Sequence, residues 1–146
     1  MLPEFTAQGS LPPGIHAVTF AEVSTHYGRF QRTEQRPRLL AVLEEFVGEV
    51  RHCRWVRRLF LAGSFVTTNE EPHDIDVLLV FEHRAQFTAL LPREYNVLYQ
   101  AGAQRRFGTT IDLHVVEEGS EAMERLLRFF QRDRRGHAAG IVEVML

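Results

Sequence analysis

At 146 residues the chain has the length of one ordinary domain, long enough to bury about 70% of its unfolded surface. Hydrophobic residues at 45% and charged residues at 25% are globular values, and no apolar run approaches the ~20 residues needed to cross a bilayer, so no membrane association is expected. The formal charge of −2 gives no overall reason to expect nucleic acid and leaves only local basic patches open. All seventeen basic residues are arginine, which excludes Schiff-base and P-loop lysine chemistry. Cys53 stands alone, which excludes an internal disulfide or a CxxC zinc site, and reads as an inert packed thiol. Met1–Phe5 lacks the basic and apolar regions of a secretory signal, so the cytoplasm is the expected compartment.

In chain order, residues 1–18 carry Gly9, Pro12, Pro13 and Gly14 and predict an extended arm with no central strand. Thr19-Phe20-Ala21-Glu22 has the form of a capping box, opening a short helix that Gly28 ends. From Pro37 to Arg51, Leu39, Leu40, Leu43, Phe46, Val47 and Val50 recur at helical steps and predict a longer amphipathic helix. Leu59–Ala62 and Ile75–Phe81 are apolar runs that read as central strands, the first ended by Gly63-Ser64. Weaker helical patterns cover 85–91 and 94–101, separated by Pro92. Thr109–Val116 is β-branched and predicts a third strand. Gly119-Ser120 leads into a helix with Met123, Leu126, Leu127 and Phe130 on one side. A turn at Arg132–Gly136 and a terminal strand at Ile141–Leu146, placed at a sheet edge, complete the series. The expected fold is a single-domain α/β (α+β) protein over residues 1–146, with a small mixed sheet and helices mainly on one face.

The chemistry concentrates in the aspartates. The chain has fifteen glutamates but only four aspartates, and Asp74, Asp76 and Asp112 lie at or in predicted strands, where aspartate is disfavoured. Two apart on an extended strand, Asp74 and Asp76 leave the same face. Asp112 and His114 share a face of the third strand, opposite apolar Ile111, Leu113 and Val115. If the two strands are neighbours, three carboxylates converge, which is unfavourable unless a divalent cation relieves the repulsion. Carboxylate oxygens suit Mg²⁺ or Mn²⁺, and two such ions ~3.5–4 Å apart would stabilise both oxygens of a phosphoryl displacement. Gly63 and Ser64 offer close backbone approach, a hydroxyl and an amide to a phosphate, and a helical turn at 65–68 would add to that attraction.

Gly63-Ser64, nine intervening residues, Asp74-Ile75-Asp76 and the later Ile111-Asp112-Leu113 resemble the DNA polymerase beta-like nucleotidyltransferase superfamily over residues 56–116. The whole chain, from Leu11-Pro12-Pro13-Gly14-Ile15-His16 to Gly140-Ile141-Val142-Glu143-Val144, is also similar to a small uncharacterised bacterial family grouped with those enzymes. The resemblance implies that Asp74 and Asp76 hold two Mg²⁺ (or Mn²⁺) ions, that Asp112 binds the catalytic ion and helps activate an acceptor hydroxyl, and that Gly63 and Ser64 hold the phosphates of a nucleoside triphosphate. It implies a nucleotidyl transfer, with a protein partner as one kind of acceptor, as in toxin–antitoxin systems. A catalytically silent module that keeps the fold and binds a partner protein is the alternative. One departure concerns Phe65–His73, which contains Glu70 and Glu71 and no arginine.

Simpler readings exist for single residues. Pro72-His73-Asp74 is good turn chemistry, Asp112 could pair with Arg105 or Arg106, and His73 and His114 could be structural. Trp55, Phe129 and Phe130 are read as core residues rather than a base-stacking platform.

Overall fold

The computed structural model describes residues 1–28 and 33–146. Among them the elements run β1 (Ile15–Val18), α1 (Phe20–Tyr27), α2 (Gln35–Val50), β2 (Val56–Ala62), β3 (Ile75–Phe81), α3 (Pro92–Leu98), α4 (Gln100–Phe107), β4 (Ile111–Glu117), α5 (Glu121–Phe130) and β5 (Ile141–Val144). The strands form one mixed sheet in the order β1-β5-β2-β3-β4. β3 is parallel to β4 and antiparallel to β2, and β5 is antiparallel to β2 and parallel to β1. The expected α+β class, with a small mixed sheet, is what the chain forms.

Local signals account for most element starts. Thr19 caps α1, its hydroxyl accepting from the Glu22 amide at 3.2 Å. Ser120 caps α5 by accepting from the Met123 amide at 3.1 Å. Pro92 opens α3, where its missing N–H costs nothing. The weak patterns at 85–91 and 94–101 resolve differently from the expectation: 87–89 forms only a single 3₁₀ turn, and two helices follow in place of one. The third strand begins at Ile111 rather than Thr109.

The core lies mainly on one face. Ile75, Val77 and Leu79 of β3 and Ile111 and Leu113 of β4 pack against Val23 and Tyr27 of α1, the apolar stripe of α2, and Val97, Leu98, Ala103 and Phe107 of α3 and α4. The opposite face is covered by α5, whose Met123, Leu126, Leu127 and Phe130 lie over Phe60, Ala62, Leu78, Val80, Val116 and Ile141. Four helices on one face and one on the other match the expected layering.

Leu2 and Leu11 of the arm are buried in the main core, and Ile15–Val18 pair with the C-terminal strand. That pairing removes β5 from the edge: it lies between β1 and β2, with Val142 fully buried. The edge is taken by β1, as a short Pro/Gly-flanked strand should be. Phe129 is not core; it is 69% exposed on α5, while Phe130 and Trp55 are partly buried against the two clusters.

No described helix is long and apolar enough to cross a membrane.

Candidate metal centre

Strand alternation and register assemble the centre. β3 and β4 pair with Asp76 directly opposite Asp112 and Leu78 opposite His114, so Asp76, Asp112 and His114 emerge on the α5 side while their odd-numbered neighbours enter the main core. A slip of one residue would bury the carboxylates and expose the apolar set, which fixes the register. α5 covers the Leu78 and Val116 end of this face and leaves the start of β3 and β4 half-exposed.

One ligand atom each from Asp76, Asp112 and His114 lies within 4.8 Å of the others. His114 Nε2 is 3.6 Å from Asp112 Oδ2 and 3.8 Å from Asp76 Oδ1, ion-pair distances rather than formed hydrogen bonds. Nε2 is sealed from solvent and takes no hydrogen-bond partner. A buried imidazole nitrogen facing two carboxylate oxygens without bonding either is the donor set a divalent cation would complete. Phe130 of α5 fixes the imidazole from behind in an edge contact, with ring centroids 5.1 Å apart.

The electrostatics agree with an unmet positive charge. Burial raises the Asp112 carboxyl above its usual value, with the Asp76 carboxyl beside it adding to the effect. Asp74 is likewise raised, by burial first and then by the negative charge of Asp76. His114 is raised by Asp76 facing its Nε2 and further by Asp112, while burial opposes both. Asp74 and Asp112 thus resist their charge, and the imidazole is pushed towards carrying one.

The sequence-predicted residues divide. Asp76 and Asp112 come together as expected. Asp74 precedes β3 and feels the field of Asp76, yet its carboxylate lies outside the close group, and the third position is held by His114. Burial and Asp76 shift Asp74, with no backbone hydrogen bond involved, so the turn-forming explanation of that residue is not realised. Arg106 pairs with Glu45 and Glu49, and Arg105 lies over the Tyr95 ring, so neither occupies Asp112.

Gly63 is required twice over. Its φ of +77° belongs to the left-handed region, and a Cβ there would fall within the Asp76 carboxylate. Ser64 follows in a 3₁₀ turn over Gly63–Val66, where a helical turn was expected at 65–68. Its carbonyl accepts from the Thr67 hydroxyl at 2.6 Å.

Sequence reasoning missed the brace behind this loop. Arg36, fully buried in the first turn of α2, donates to the carbonyls of Phe65 (2.9 Å), Thr67 (2.8 Å) and Asn69 (3.0 Å from Nε). Burial lowers its pKa to about 10, still well above neutrality, so the charge stays. The Tyr27 hydroxyl donates to the Val66 carbonyl, Gln35 to that of Pro72, and the Thr68 amide to Gly9 of the arm. The loop after Gly63-Ser64 is therefore held from three elements.

The fold and site define a mixed-sheet α+β protein with an Asp-Asp-His cluster at the start of two parallel strands. Over residues 3–145 the chain matches, and belongs to, the family of unknown function DUF6932. No curated protein and no solved structure matches it.

Proposed function

We propose that the chain is a metal-dependent nucleotidyltransferase, moving a nucleoside monophosphate from a nucleoside triphosphate, ATP by expectation, to an acceptor hydroxyl. The observation that carries this reading is the registered pairing of Asp76 with Asp112 beside the unpartnered Nε2 of His114. The superfamily resemblance of Gly63-Ser64, Asp74-Ile75-Asp76 and Ile111-Asp112-Leu113 supplies the reaction type.

Asp76, Asp112 and His114 would hold the cation, with Asp74 a further carboxylate close enough to act electrostatically on Asp112. A divalent ion there supplies charge stabilisation for the transferring phosphoryl group. The mixed nitrogen and oxygen donor set favours Mn²⁺ over Mg²⁺, whose preference is for oxygen alone. By the resemblance, Asp112 would also help activate the acceptor hydroxyl for attack on the α-phosphate, pyrophosphate being the leaving group. Ser64 offers its hydroxyl and amide to the outer phosphates, on a loop whose carbonyls at Phe65, Thr67 and Asn69 accept from Arg36.

A thermal-shift titration with ATP and Mn²⁺ or Mg²⁺ tests the proposal, since a ligand at a hundred times its Kd stabilises the native state by about 2.7 kcal/mol. The melting temperature should rise only when metal and nucleotide are both present. Asp76→Asn should fold normally and lose that rise. Absence of any metal-dependent rise in the native protein overturns the reading.

A further inference from the structure

Residues 125–135 hold five of the seventeen arginines and a single aspartate, in a chain whose net charge is −2. Arg125 and Arg128 are exposed one turn apart on α5, Arg132 is exposed just beyond its end, and Arg134 and Arg135 are exposed in the turn that follows. Among the described residues, none of these five guanidinium groups faces a carboxylate within ion-pair distance. Of the arginines elsewhere, Arg57 pairs with Glu82, Arg58 with Glu143 and Arg106 with Glu45 and Glu49, whereas residues 125–135 gather five without such a partner in one short stretch. The dipole of α5 accounts for Arg128 in its last turn, but not for Arg134 or Arg135.

The turn that carries those two is built to be rigid. Asp133 Oδ1 accepts from the amides of Arg135 and His137, both at 2.9 Å, and the Asp133 amide donates to the His137 carbonyl at 2.8 Å. The backbone hydrogen bond from His137 holds the Asp133 carboxyl below its usual value, so the one acid of the segment is committed to the turn. Arg128 and Arg132 line a shallow depression of about 280 Å³ with Pro13, Gly14, Gln131 and Ala138. Beside Arg128 stands Phe129, 69% exposed, its ring centroid 5.3 Å from that of Phe130.

We propose that α5 and the Asp133 turn form a binding surface for single-stranded nucleic acid, with Arg128, Arg132, Arg134 and Arg135 on successive phosphates and Phe129 stacked on a base. Unneutralised arginines beside an exposed ring are what an unpaired strand needs, since guanidinium pairs with phosphate in a fork and any base offers a face to stack. An acidic protein segment would use the arginines but leave Phe129 unexplained. The surface is independent of nucleotide transfer, although Phe130, which touches Phe129, also touches His114 of the metal centre.

Fluorescence anisotropy of the whole protein with labelled oligouridine, oligothymidine, a duplex of equal length and polyglutamate tests the proposal. The single strands should bind, with log K falling against log salt with a slope of about −3 for four phosphate contacts. Stronger binding of oligouridine would identify RNA as the source, and equal binding would identify backbone recognition common to RNA and DNA. R128E and the R134E/R135E pair, all at exposed positions, should each weaken binding by about tenfold or more and flatten the slope. F129A should weaken it by about tenfold with the slope unchanged. Asp76→Asn should bind strands as the native chain does, so failure of the transferase reading leaves this result standing. No salt-dependent binding, full binding by both arginine variants, or preference for the duplex or polyglutamate overturns the proposal.

Discussion

The two faces of β3 and β4 are built from alternate residues of the same strands and have opposite characters. On the face towards α1–α4, Ile75, Val77, Leu79, Ile111 and Leu113 are all buried. On the other, Leu78, Val80 and Val116 are sealed by α5, whereas Asp76, Asp112 and His114 stay partly open and carry mutual repulsion and a buried nitrogen without a partner. One face supplies stability, and the other keeps a polar cluster partly open to solvent. Odd and even positions of the same two strands thus separate packing from the polar cluster.

Substitutions should respect that division. The largest effect is expected from Leu79→Ala on the apolar face, a loss of about 2–5 kcal/mol in urea unfolding for a fully buried leucine, with the metal-dependent rise in melting temperature preserved. If the rise disappears as well, the faces are coupled. Gly63→Ala should come next and strike both properties. Forcing a side chain into a positive-φ position costs roughly 1–2 kcal/mol, and its Cβ must displace the Asp76 carboxylate. Calorimetry with and without Mn²⁺ would read both losses, and intact metal binding would separate Gly63 from the centre.

The smallest effect is a pH dependence. His114 has a folded pKa raised above its ordinary 6.5, so its contribution is complete below that value and is lost as pH rises through the raised one. The metal-free protein should therefore lose a little melting temperature from about pH 6 to 8, a slope that His114→Gln removes. Saturating Mn²⁺ should reverse the sign, because the imidazole must be neutral to coordinate. A native slope equal to that of the variant would mean that the carboxylates do not act on His114.

Much of this arrangement was legible in the residues. Strand alternation placed Asp112 and His114 on one face and the apolar set on the other, because period two survives in any sheet. Asp76 opposite Asp112 required only that the two strands be neighbours. Other parts depended on pairings that no local pattern encodes. Asp74 looked equivalent to Asp76 from spacing, but β3 starts at Ile75 and leaves it outside the ladder. His114 was set aside because an imidazole near a strand end has many uses; that its Nε2 is sealed without a formed hydrogen bond is a property of the packed face. Arg36 gave no signal, since an arginine in a helix's first turn is ordinarily solvated, and the carbonyls it binds lie about thirty residues away. The exposure of Phe129 was hidden for a similar reason: adjacent phenylalanines on one helix point in different directions, and only Phe130 meets the sheet.

The position of β5 has a consequence for synthesis. Leu59, Phe60 and Leu61 of β2 pair with Val144, Glu143 and Val142, and β1 pairs with the other side of that same strand. Until residues 141–144 leave the ribosome, β1 has no neighbour and β2 presents an open row of amides and carbonyls beside three buried-type side chains. The nascent chain therefore keeps an adhesive edge until β5 is made. Such a chain gains from being shielded during translation until residues 141–144 can insert between β1 and β2.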